Sequence, residues 1–386
     1  MKALLRPLRP RNPDDHHRVA TTLELFFDLV TVIAMASATA ALHHGISAGH
    51  GLEALVPFVF LFFGIWWAWM NFTWFASAFD NDSIFYRICV MVIIGGELLF
   101  AGAVPFIFDG HGQTWGLLGW SVMRLGMVAL WLRAAQGEYR TTCLRYAIGV
   151  TVAQCCWALA FFLAPKEAPD FFYWAGLVYL VELAVPLWAE RAKATPFHRH
   201  HIIERYGLLM IISLGEILLS ISLGFGALNG EHPSMGAGMV AASGVIMVFA
   251  VWWVYYCEEE HLMTTKMPEA IFWGYGHVFV FLSTALLGAA VAAEVDLNAD
   301  HSKIDITTIA KWMGSGLALF CLSLWFVRDR PRALTPHLKW ALPGMAALFL
   351  IAGFLGAPAW VFALLAVVMV IWRAPRAAGI PHHDAS

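Results

Sequence analysis

The chain has 386 residues, of which 60% are hydrophobic and only 13% charged, with a formal net charge of −3. Soluble domains average about a quarter charged residues, so this composition excludes an ordinary water-soluble protein. It also provides no basic surface for nucleic acid, and leaves membrane lipids and a small-molecule or ion substrate as the expected partners.

The first twenty residues are basic and proline-rich, with no apolar core ahead of a small-residue cleavage site, and read as a cytoplasmic tail (1–20) and not a signal peptide. Apolar runs of about 20 residues, enough to cross a hydrocarbon core of about 30 Å, follow along the chain. They lie near 21–43, 54–79, 85–108, 114–133, 143–164, 171–190, 206–228, 236–257, 271–293, 306–327, 338–356 and 358–373. The predicted fold is therefore an all-α transmembrane bundle of about twelve spans. The last two are short and separated only by Gly356, Ala357 and Pro358, which makes them either a hairpin or one broken helix. The expected organisation is a first membrane half (21–190), a cytoplasmic linker (191–205), a second membrane half (206–373) and a C-terminal tail (374–386). No connection is long enough to fold alone.

Orientation follows from the basic residues. With the N-terminus inside, 20 of the 24 Lys and Arg residues fall on cytoplasmic segments. Only Lys166, Lys303 and Lys311 fall outside, and Arg124 lies within the fourth span. This predicts a multi-pass protein of the bacterial inner membrane with both termini cytoplasmic. The six cysteines lie in or beside apolar segments without a C-x-x-C pair, so neither a disulfide framework nor a thiolate metal site is expected. The clusters His16-His17, His43-His44 and His198, His200 and His201 read as solvated loops without metal-ligand spacing. No nucleotide-binding or hydrolase motif is present, and no cofactor is expected.

An internal repeat is suggested by two offsets. Trp66-Trp67 and Trp252-Trp253 are 186 residues apart, and Asp28 and Glu216 are 188 apart. Each acid follows an arginine by ten or eleven residues, Arg18 and Arg205 respectively. Two six-span halves in parallel orientation would produce this pattern; coincidence in a tryptophan-rich chain is the alternative.

Charged side chains deep in the spans are the main functional signal. Counting from the inner edge at about 1.5 Å per residue, Asp28, Glu97, Glu182, Glu216 and Arg124 all lie near half depth. Four acids against one arginine leave this layer at a formal −3. Arg124 and Glu97, on consecutive spans, are the natural pair, and the other acids would be protonated, wetted or cation-bound. Such a layer serves either as a proton or cation relay or as a set of structural interhelical bonds. Glu24, one turn from Asp28 on the same face, reads as structural beside Arg18. Trp67, Asn71 and Trp74 share a face of span two, and Trp252 and Tyr256 share one of span eight. They are candidates for an aromatic cage or for simple packing. Small residues at spacing four (Ala34 and Ala38; Ser220 and Gly224) suggest close helix contact. His277 stands alone in an apolar stretch and is a candidate for a proton path.

A family resemblance rests on two of these segments. Glu24 to Val30 (ELFFDLV) resembles the opening signature of the bacterial low temperature requirement A (LtrA) membrane proteins, and Glu204 to Leu218 (ERYGLLMIISLGEIL) resembles their second. Trp252 to Tyr256 resembles the aromatic motif of their eighth span. The resemblance covers roughly residues 18 to 373. It implies that Glu24, Phe27, Asp28, Glu204, Arg205, Gly207, Gly215 and Glu216 occupy characteristic positions, with His277 matching a family histidine. Glu97 departs from the family, which has a small or apolar residue there. The resemblance implies an architecture and no particular activity.

The resulting expectation is a secondary transporter or ion-coupled permease. In it Asp28 and Glu216 carry the coupling proton or cation, Arg124, Glu97 and Glu182 complete the polar layer, and Trp67, Asn71 and Trp253 line a cavity. The alternatives are a membrane-embedded enzyme acting on a lipid or isoprenoid, centred on Glu258, Glu259, Glu260 and His261, and a non-transporting sensor or scaffold. Homo-oligomerisation is compatible with any of them.

Overall fold

The computed structural model describes residues 7–12, 18–165, 170–226, 235–258, 264–298 and 304–373, together with the single residues 262 and 302. Among them there is no strand. The helices are α1 (Thr22–Ser47), α2 (Gly51–Phe79), α3 (Ile84–Phe108), α4 (Gln113–Ala134), α5 (Arg140–Leu163), α6 (Asp170–Gly176), α7 (Val178–Ala189), α8 (Arg199–Gly226), α9 (Met235–Tyr256), α10 (Met267–Asn298), α11 (Ile306–Leu324), α12 (Pro336–Lys339), α13 (Ala341–Phe354) and α14 (Ala359–Arg373). Each predicted apolar segment is mainly helical in its described residues, with 171–190 interrupted at Leu177 and 338–356 at Trp340. Among the described residues nine segments, with α6–α7 taken together and α11 extended to Asp329, are long and apolar enough to cross a membrane; α13 and α14 are shorter.

Polarity is inverted relative to a soluble helix, as a lipid solvent requires. On α1, Leu25, Leu29 and Ile33 are exposed while Glu24, Asp28 and Thr31 are wholly buried. Backbone geometry sets the helix ends. α3 and α13 both stop at a glycine of positive φ, Gly110 (83°) and Gly356 (69°). In each case the glycine and the next residue donate back into the last turn, Gly110 to Ile107 and His111 to Phe106, Gly356 to Gly353 and Ala357 to Ala352. α13 and α14 are therefore two separate helices packed on each other, which resolves the sequence ambiguity in favour of a hairpin.

The described chain divides into two compact units, residues Met1–Ala41, Glu53–Leu209 and Thr264–Ile271 in one, and Leu42–Leu52, Met210–Met263 and Phe272–Ser386 in the other. In the first, α4 packs on α3 and on α5, and α5 packs on α7. The α3–α4 seam is made of glycine. A Cβ on Gly96 would sit 2.6 Å from the Met123 backbone nitrogen, and one on Gly119 would sit 2.7 Å from that of Phe100. Such contact brings two backbones together in the manner of small-residue membrane interfaces. The sequence reading singled out Ala34 and Ala38, both fully buried, and missed this seam; the surroundings of Gly224 lie outside the described residues. In the second unit α11 packs on α13 through Gly314, and α9 packs on α14.

Candidate functional site

Helical spacing builds the first cluster. Glu24 and Asp28 are one turn apart on α1, and His201 and Arg205 are one turn apart on α8, so two pairs of polar side chains face each other. Arg205 donates from Nη2 to Asp28 Oδ1 (2.6 Å) and from Nε to Oδ2 (3.1 Å). Its Nη1 lies 3.1 Å from Glu24 Oε1, and His201 Nε2 lies 3.0 Å from the same oxygen. Trp69 on α2 donates its indole N–H to Asp28 Oδ1 at 2.6 Å. All four paired side chains are fully buried. Glu24 also closes a reciprocal cap at the start of α1: Thr21 N donates to Glu24 Oε2 (2.7 Å) and Glu24 N donates to Thr21 Oγ1 (3.3 Å). Arg18 lies just outside the span, 3.7 Å from Glu24 Oε1, and donates to the Ala76 carbonyl at 2.7 Å. Burial pushes its guanidinium pKa down, and the Glu24 carboxylate opposes that shift.

Three sequence expectations change here. Arg18 and Arg205 are not edge markers: they are 6% and 0% exposed. An arginine at a membrane edge ordinarily extends its head toward water, but two carboxylates hold Arg205 inward. His198 and His201 are buried in the approach to α8 and its first turn, and are not solvated loop residues. The depth measured from Arg18 and Arg205 therefore started from buried residues.

The second cluster surrounds Glu182 on α7. Arg124 Nη2 and Trp157 Nε1 each donate to Oε1 at 3.1 Å, and Trp67 Nε1 donates to Oε2 at 3.0 Å. The Arg124 guanidinium lies 4.1 Å from the centre of the Trp120 ring. Asn71 donates to the Trp67 carbonyl at 2.7 Å within its own helix. The expected Arg124–Glu97 pair is not formed. The glycine seam takes up the face of α4 that meets α3, and Arg124 points instead toward Glu182. Glu97 is fully buried, neither of its oxygens makes a regular hydrogen bond, and the Thr31 hydroxyl is the polar group beside it.

Glu216, His277, Gly215 and Trp253 belong to the second unit. Glu216 is partly buried, with no hydrogen bond or ion pair to any described residue. Gly215 is exposed, and a methyl group in place of its hydrogen would meet nothing within 4 Å. His277 is buried, its Nδ1 2.9 Å from the Trp273 carbonyl and its ring 4.0 Å from that of Trp273. Trp253 is half exposed. Glu204, in the first unit, accepts from Ala20 N at 3.2 Å and tethers the N-terminal segment to α8.

Sequence reasoning did not pick out His201, Trp69 or Trp157. His201 had a usable signal, its spacing of four from Arg205. A buried ionic knot in the second unit was missed as well, where Arg328 and Asp329 follow α11 in a five-residue π turn, Trp325–Asp329. Arg328, assigned to a cytoplasmic loop, is fully buried and donates to Asp329 Oδ1 (2.8 Å) and to the Val254 carbonyl (2.6 Å). Arg373 bridges Asp329 (3.2 Å) and Glu258 (2.8 Å), and Arg332 also pairs with Glu258. Glu258 is thus held by arginines, while Glu259, Glu260 and His261 lie outside the described residues. Among the described residues, no group of three or more His, Cys, Asp or Glu side chains is arranged to hold a metal.

A family model described as "Bacterial low temperature requirement A protein (LtrA)" matches residues 19–374. The chain is 23% identical over 385 residues to an uncharacterized protein of Rhizobium meliloti (strain 1021), a match covering 94% of this chain and 90% of that one. No solved structure matches it.

Proposed function

The chain belongs to the bacterial low temperature requirement A family of multi-pass membrane proteins, and from that premise we propose that it is a secondary transporter or ion-coupled permease. The observation that carries this reading is the enclosed network of Glu24, Asp28, His201 and Arg205. Ionisable groups inside a membrane segment are costly and mark ion or substrate pathways by default. Here two carboxylates share one arginine, and an imidazole nitrogen shares a carboxylate oxygen with it. Protonation of Asp28, or arrival of a cation, would weaken its hold on Arg205 and free that side chain to pair with Glu24 alone. A two-state exchange of this kind is what coupling requires.

Glu216 would take the role of Asp28 in a second half related to the first by a parallel repeat, with the Glu182–Arg124 pair completing the polar layer. The excess of basic residues on one side supports cytoplasmic termini in the inner membrane. A second reading, a non-transporting sensor or scaffold, is favoured by one observation: Glu24 and Asp28 are balanced by Arg18 and Arg205.

The deciding experiment is ion flux in proteoliposomes holding the wild type, Asp28→Asn or Glu216→Gln. Transport predicts flux in the wild type and its collapse in both variants, with folded protein retained. Absence of wild-type flux under proton, sodium and potassium gradients would transfer the assignment to the scaffold.

A further inference from the structure

Glu294 is a buried acid that the proposed transport network does not use. It lies on α10, one turn before that helix ends at Asn298, and is 3% exposed. One oxygen, Oε1, accepts from the Ala359 backbone N–H at the start of α14 (3.2 Å). The other, Oε2, is buried and has no hydrogen-bond partner among the described residues. The side chain lines an open cavity of about 390 Å³ between the C-terminal end of α10 and the first turns of α9, α11 and α14. That volume falls within the range of about 300–1,000 Å³ typical of small-molecule sites.

The lining indicates what would fill it. Among the described residues that line the cavity none is basic, and Glu294 is the acidic one. Its walls are mainly apolar, with Val240 and Leu297 beside Met239, and the indole of Trp360 stands at the half-exposed rim. Asn298 donates its amide to the Glu294 carbonyl (2.8 Å), which leaves the amide oxygen to accept from a ligand. A carboxylate oxygen lacking a donor calls for an N–H or O–H group. An aromatic face beside it attracts a cation. Apolar walls favour a carbon skeleton over a hydrated metal ion, which would need several oxygen ligands.

We propose that Glu294, Trp360 and Asn298 form a binding site for a small organic ammonium ion. The ammonium head donates to Glu294 Oε2 and the apolar body lies against Trp360 and Met239. The site is built wholly from the second unit, and it stands or falls independently of the network around Arg205.

The test is calorimetric titration of the detergent-purified full chain with phenethylammonium chloride. Phenethyl alcohol serves as the uncharged control and sodium chloride as the inorganic competitor. The expected result is saturable binding of the ammonium compound and none of the alcohol. Glu294→Gln, which keeps an acceptor for the Ala359 N–H, should weaken binding at least tenfold, and Trp360→Leu, at the surface, several-fold. Three results would overturn the proposal: no saturable binding by folded wild type, equal binding by Glu294→Gln, or displacement by sodium at the same concentration. Should Glu294→Gln fail to fold, Trp360→Leu and the alcohol control decide the matter. Binding without flux, or flux without binding, separates this site from the proposed transport path.

Discussion

Arg205 and Asp28, 177 residues apart in the chain, are joined by two hydrogen bonds of 2.6 and 3.1 Å with both side chains wholly enclosed. Removing one partner leaves an uncompensated buried charge, which costs about 3–5 kcal/mol. Arg205→Met should therefore destabilise the protein by about that amount, and Asp28→Asn by somewhat less because the amide still accepts from Trp69. The double variant should cost less than the sum, as the pair is lost together. Thermal unfolding of the four proteins in one detergent measures this. Arg205→Lys should not restore stability, because an ammonium cannot reproduce the two-pronged contact.

Glu182 offers a comparison between adjacent tryptophans. Trp67 donates to its carboxylate, whereas the indole N–H of the equally buried Trp66 has no partner among the described residues. A hydrogen bond to a charged acceptor contributes about 1.5–3 kcal/mol. Trp67→Phe should therefore lower stability by that much more than Trp66→Phe, which removes only volume. Equal losses in a parallel melt would mean that the Glu182 bonds contribute nothing net.

These clusters show which parts of the site were legible beforehand. A carboxylate within an apolar run is visible because lipid makes it costly, so Asp28, Glu97, Glu182 and Glu216 stood out. The partners did not, because pairing depends on which faces of distant helices meet. Arg124 sits one residue after Met123, whose backbone lies against the glycine seam. That single step turns its guanidinium away from Glu97 on α3 and toward Glu182 on α7. Arg205 and Arg328 were misread for a related reason. An arginine near the end of an apolar run looks like an edge anchor unless an acid deeper in the bundle draws it in. The long apolar helices were readable because they follow from apolar length, whereas the breaks between α6 and α7 and between α12 and α13 were not.

The α3–α4 seam gives a contrast between neighbouring positions. A Cβ at Gly119 would meet backbone atoms at 2.7 and 2.8 Å, whereas one at Gly95 meets nothing within 4 Å. Gly119→Ala should force the helices apart and cost about 1–3 kcal/mol. Gly95→Ala should be neutral or stabilising by up to about 1 kcal/mol, through better helix propensity. Denaturation midpoints of the two variants would differ in sign relative to the wild type.

Acid should loosen the start of α11. The hydroxyls of Thr308 and Thr307 and the Thr308 backbone N–H hold the Asp305 carboxyl down to about 2, below its ordinary 3.8. A carboxyl depressed on folding contributes stability that is fully present above about pH 4 and is lost as pH falls toward 2. Asp305→Asn should remove that part of the pH dependence while keeping most of the cap. Amide hydrogen exchange at Thr308 and Ile309, compared between pH 5 and pH 2.5, should rise relative to the intrinsic rate in the wild type and stay level in the variant.

Arg328 and Asp329 are consecutive, both fully buried, and joined to each other by the Arg328 Nε–Asp329 Oδ1 bond. Both lie in the π turn at Trp325–Asp329. Such a turn is equivalent to one residue inserted into a regular helix. Deleting a single residue there would restore normal pitch and rotate the following chain by about 100° about the helix axis, out of register with the Asp329–Arg373 pair. Along this stretch the number of residues is constrained as tightly as their chemistry, so homologous chains should vary here by substitution and not by length.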